Sequence, residues 1–91
     1  MNSTTLSAAW ASLGDSLSLL FNRLPVADPR RQRVNANTMA AYDESLQAMG
    51  RDDDAFEAVL GRLAGRASTL DLGNHAAFEA LMAEIEGLLA N

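Results

Sequence analysis

The sequence predicts an all-α protein, a small antiparallel four-helix bundle, and three observations carry that prediction. Apolar residues recur at helical spacing in four segments. Pro, Gly, Asp and Asn stand between those segments, where helices begin and end. No segment reads as a strand.

The first segment predicts a helix over 5–24. Leu6, Trp10, Leu13, Leu17, Leu20, Phe21 and Leu24 form one narrow stripe, and Leu19 lies off it. Ser3 or Thr4 is the expected cap. Pro25 sets the end, because the residue before a proline avoids the α region.

The second helix is expected over 29–49. Asp28 caps it, Pro29 takes the first helical position and Gly50 follows its last turn. Its stripe is Met39, Tyr42, Leu46 and Met49, with Asn35 in line. The opening turns, Arg30-Arg31-Gln32-Arg33, place three cations at the positive end of a helix dipole, so this end is expected either to fray or to depend on acidic neighbours.

The third helix is expected over 54–70, with Asp54 and Glu57 at capping-box spacing and Phe56, Val59, Leu60, Leu63, Ala67 and Leu70 on one side. Leu72-Gly73-Asn74 breaks it, and Asn74 caps a fourth helix over 75–89 that carries Phe78, Leu81, Met82, Ile85, Leu88 and Leu89. Short connections between amphipathic helices make a bundle the natural architecture, with residues 1–91 as a single domain. Leu13, Leu17, Phe56, Leu60, Phe78 and Ile85 are expected in its core.

Composition narrows the function. A chain of 91 residues with no cysteine has neither disulfides nor a thiolate metal site to add stability, so good packing or association with another chain must supply it. The formal charge of −5 disfavours nonspecific contact with nucleic acid or anionic membrane. All seven cations are arginine, and with the Ala/Leu bias this suggests a GC-rich bacterial genome. The apolar runs are far shorter than the ~20 residues that span a bilayer. Residues 1–24 lack the basic start of a secretory signal, so the expected location is the cytoplasm.

Chemistry finds little support. His75 and Glu79 share a helix face, but zinc takes three or four ligands and no second His or Cys exists. Asp52-Asp53-Asp54 is followed at once by Ala55-Phe56, so the alternating oxygen ligands of a calcium loop are missing. There is no Cys or Lys nucleophile and no Gly-rich phosphate loop. No enzyme, cofactor or metal is therefore expected.

Two surfaces are candidates for binding a partner. Gly61 and Gly65 lie with Ala58 on the side of the third helix opposite Phe56, Leu60 and Leu63, leaving a face without bulk. Each glycine costs a helix ~1 kcal/mol relative to Ala. Arg30, Arg31 and Arg33, with Arg23 nearby, form the one basic concentration. The expected function is a protein-binding module, a chaperone, adaptor or stoichiometric inhibitor, contacting another chain or a second copy of itself. The alternative is a DNA-binding regulator using the Arg-rich start of the second helix, although nucleic acid suits the net charge poorly.

Overall fold

Each helix starts where a side chain satisfies one of its free N–H groups. In the computed structural model, which describes residues 5–90, the helices are α1 (Leu6–Arg23), α2 (Arg30–Gln47), α3 (Asp54–Thr69) and α4 (His75–Leu89), with no strand among the described residues. Thr5 caps α1 by accepting from the Ala8 N–H at 3.0 Å. The caps expected at Ser3 or Thr4 lie outside the described residues. Asp28 accepts the Arg30 N–H at 2.9 Å, and Pro29 already has helical dihedrals (φ −64°, ψ −19°). Asn74 accepts the Ala77 N–H at 3.0 Å.

The cap of α3 is displaced by one residue from the expected box. Asp53, not Asp54, accepts the Phe56 N–H, and the Glu57 carboxylate reaches back to the Asp53 N–H at 2.9 Å. The reciprocal pair is made with Glu57 one position later than the usual spacing. Glu57 is buried by this contact. Past the end of α2, Gly50 takes φ +81°, a left-handed conformation that residues with a side chain seldom adopt.

Contacts order the helices in space. Ser7 meets Ser45, Asp15 meets Tyr42 and Phe21 meets Arg31, so α1 and α2 run in opposite directions. Trp10 meets Phe56, Ser16 meets Ser68 and Arg23 meets Leu70, so α1 and α3 run together. Arg30 meets Phe78, Arg33 meets Glu79 and Asn37 meets Glu86, so α2 and α4 also run together. Arg66 meets Glu84, while Val59 and Leu63 line one hollow with Leu88, which sets α3 against α4. Directions alternate along the chain, yet two of the neighbouring pairs are parallel. The cause is the 48–53 connection, which passes beneath the start of α1 and delivers α3 to its far side. There the Leu6 N–H donates to the Arg51 carbonyl at 3.2 Å.

One hydrophobic cluster draws on all four helices. Leu13, Leu17, Leu60, Phe78 and Ile85 are fully buried, as expected. Phe56 is only half-buried, because it sits in the first turn of α3 at the end of the bundle. Its ring lies 5.7 Å from that of Trp10, which it shields from solvent.

The expected phase of α2 is wrong. Met39, Leu46 and Met49 are 59%, 69% and 67% exposed, and Tyr42 is half-buried. The buried side consists instead of Val34, Asn37, Thr38, Ala41, Ser45 and Ala48. Small and hydroxyl side chains won this position because they let α2 lie close to α1. Ser45 donates to the Ser7 carbonyl at 2.8 Å, and Thr38 donates to the Val34 carbonyl at 2.8 Å. Every buried side-chain nitrogen or oxygen among the described residues has a partner, so hydrogen bonds offset the desolvation of this polar face.

Candidate functional site

The arginines at the start of α2 turn inward and along the bundle surface, where each has a structural task. Arg30 clasps Asp28, with Nη2 2.7 Å from Oδ2, donates to the Leu72 carbonyl at 2.8 Å and lies over the Phe78 ring. The hydrogen bonds from Arg30 hold the Asp28 carboxyl below its usual range. Arg31 stacks 3.9 Å from the centre of the Phe21 ring and donates to the Phe21 and Leu24 carbonyls at the end of α1. Arg33 forks onto both oxygens of Glu86 at 2.8 Å and reaches Glu79 at 2.6 Å. Arg23 caps the Leu70 carbonyl at 2.6 Å. The acidic neighbours required by a basic helix start are therefore supplied by Asp28 and by α4.

The small-residue face of α3 points outward. Ala58, Gly61 and Gly65 are exposed, and a Cβ added at either glycine would meet nothing within 4 Å. No helix of this chain uses that closeness. His75 is exposed at the start of α4, with Nε2 3.9 Å from Glu79 Oε2. The other Glu79 oxygen is held by Arg33. No group of three or more His, Cys, Asp or Glu positioned for a metal exists among the described residues.

What the structure brings together is a seam on α2 that the sequence had suggested as core. Gln32, Asn35, Met39, Tyr42 and Leu46 follow one another at alternating spacings of three and four, the heptad rhythm of a helix that receives another helix, and Met49 continues the row in the turn just past the helix end. Its helical part is ~21 Å long at 1.5 Å per residue. It lies ~110° around α2 from the buried side at 100° per residue, on the flank next to α1. Tyr42 marks the boundary: its ring packs on Gly14 and its hydroxyl donates to Asp15 at 2.5 Å. That hydrogen bond holds the tyrosine proton on, raising the phenol above its usual range. Ala11, Asp15 and Ser18 share the Gly14 side of α1 by helical spacing, so small residues flank the seam there.

At the start of α2 the seam opens into a cleft of about 420 Å³ lined by Phe21, Val26, Pro29, Arg31, Gln32 and Asn35. Val26 at its edge is 88% exposed. The signal that could have located this surface was a second helical row, Val34, Thr38, Ala41, Ser45 and Ala48, whose small members suit a close helix contact better than methionines do.

No family model, curated protein sequence or solved structure matches this chain. No described helix is long and apolar enough to cross a membrane.

Proposed function

We propose that this chain is a non-catalytic, cytoplasmic protein-binding module, a chaperone, adaptor or inhibitor, and that it docks its partner on the outer face of α2. The observation that supports this is the exposure of Met39 and Leu46 in one row on a helix whose inward side is already filled, with exposed Met49 just past its end. Single exposed apolar residues are ordinary on protein surfaces, but a contiguous row with polar edges is how helix-binding grooves are built. Methionine adds flexible, polarisable contact area that adapts to a partner.

The Ala58, Gly61 and Gly65 face is a second surface of the same module. It offers close approach and little apolar area, so it ranks below the α2 seam. A phosphate-binding role for Arg30, Arg31 and Arg33 would need Arg30 and Arg33 to leave the acceptors that their guanidinium nitrogens now hold.

The test is affinity capture from cells of origin with wild type and with Met39→Glu/Leu46→Glu, after circular dichroism has shown both to be folded. A stoichiometric partner retained by wild type and lost by the variant is the expected result. Identical captures by the two proteins would remove α2 from the interface.

A further inference from the structure

We infer that the occupant of the α2 seam is an amphipathic helix from a different protein, with Lys or Arg flanking its apolar positions. The inference rests on the proposal that α2 is the docking face, and it specifies the chemistry of what docks. The three-four spacing from Gln32 to Leu46 presents side chains as successive rungs, which fits a helix better than an extended strand with its period of two. The cleft beside Val26 lies at one end of this row and has room for a large apolar side chain of the incoming helix.

Charge decides between occupants. Exposed carboxylates stand on both borders of the row, Asp15 on the α1 side and Asp43 on the outer side. Neither is paired with a cation among the described residues; Asp15 accepts only the Tyr42 hydroxyl. Two arginines of α2 are drawn away to carboxylates, Arg33 to Glu79 and Glu86 and Arg30 to Asp28, while Arg31 stays at the cleft end of the row, held to carbonyls at the end of α1 and distant in sequence from Asp43. Arg51 and Asp52, adjacent at the far end, offset one another. Basic residues beside an incoming apolar row would meet both unpaired carboxylates.

A second copy fits less well. A second copy would bring the same cation-free Asp15 and Asp43 to both sides of the contact, and each copy carries a net charge of −5. Like charges on both sides oppose the association that the apolar row favours.

Three synthetic helices with leucine at a and d positions, and Lys, Gln or Glu at e and g, would be titrated into the full chain while its amide NMR signals are followed. The expected result is binding of the Lys helix at least about tenfold tighter than the Glu helix at low salt. The gap should narrow as salt screens it. Shifts should centre on Met39, Tyr42 and Leu46, and Leu46→Glu should abolish them. Asp15→Asn/Asp43→Asn should bring the Lys helix down to the Gln helix. Equal binding of all three at the seam would overturn the charge inference and leave the docking face intact. Binding of none would overturn the helical occupant, with the capture experiment deciding separately whether α2 docks a protein at all. A wild-type dimer in sedimentation that Leu46→Glu returns to monomer would make a second copy the occupant and also overturn the inference.

Discussion

A Cβ added to Gly14 would lie 2.7 Å from Cε1 of Tyr42, so the glycine inside α1 is the seat of an aromatic ring from α2. Gly61 and Gly65 have no such neighbour. The same substitution therefore has opposite signs in the two helices. Gly61→Ala and Gly65→Ala should each stabilise the isolated protein by up to ~1 kcal/mol through helix propensity. Gly14→Ala gains the same propensity but forces the ring out and breaks its bond to Asp15. Overpacking costs of ~1–3 kcal/mol leave a net loss of about 1 kcal/mol. In a Tyr42→Ala background the sign at Gly14 should reverse. Chemical denaturation of the four proteins in that cycle measures it, and a stabilising Gly14→Ala in wild type would contradict the contact.

Arg33 and Glu86 tie α2 to α4 and give stability an acid-sensitive component. The hydrogen bonds from Arg33 are the largest influence and hold the Glu86 carboxyl below its ordinary value of 4.5; burial opposes them, and the Asn37 amide adds a smaller lowering. This contribution is complete above the unfolded value and disappears as pH falls through the lowered folded value. The side chains of Arg33 and Glu86 are 34% and 38% exposed, so solvent limits the pair to about 1 kcal/mol. Glu86→Gln should lose that amount at about pH 7 and less at an acidic pH below the lowered folded value, where the carboxyl has taken up its proton. Equal losses at both pH values, read from urea midpoints, would assign the effect to packing.

Truncation should separate the bundle interior from the α2 seam. Leu17→Ala and Leu60→Ala remove fully buried side chains and should each cost ~2–5 kcal/mol. Leu19 and Leu46 are 63% and 69% exposed. Their alanine variants should stay within ~0.5 kcal/mol of wild type. A large loss at Leu46 in the isolated chain would mean that the seam is packed in solution.

Zinc should leave the melting temperature unchanged. His75 is 76% exposed on its side chain and stands 3.9 Å from a Glu79 already engaged by Arg33. Ligand binding to the folded state raises stability by mass action, so a shift of several degrees that His75→Ala removes would reveal a site.

Three helices were legible in the sequence because bulk occurs on one side of each. Leu6, Trp10, Leu13, Leu17, Leu20 and Leu24 in α1, and Phe78, Leu81, Met82 and Ile85 in α4, are all buried as their spacing requires. The helix limits followed from Pro25, Asp28, Gly50 and Asn74, whose effects on the backbone act within one turn. In α2 two rows compete. A pattern of hydrophobicity favours Met39, Leu46 and Met49 over Val34, Ala41 and Ser45, and it ranks them wrongly.

The sequence by itself determined what is local: helix content, the caps at Asp28 and Asn74, and the inward faces of α1, α3 and α4. Those properties depend on residues within a turn or two of one another. Tertiary structure decided which side of α2 turns inward, because the choice depends on Ser7 and Gly14 across the α1 contact and on how closely two backbones approach. It also decided the fate of the arginines. Arg33 pairs with Glu86 across 53 residues of chain, and a long flexible cation accepts any carboxylate that topology delivers. Because the outer face of α2 is what remains after the small residues have packed, the candidate site became visible only once the helices were placed.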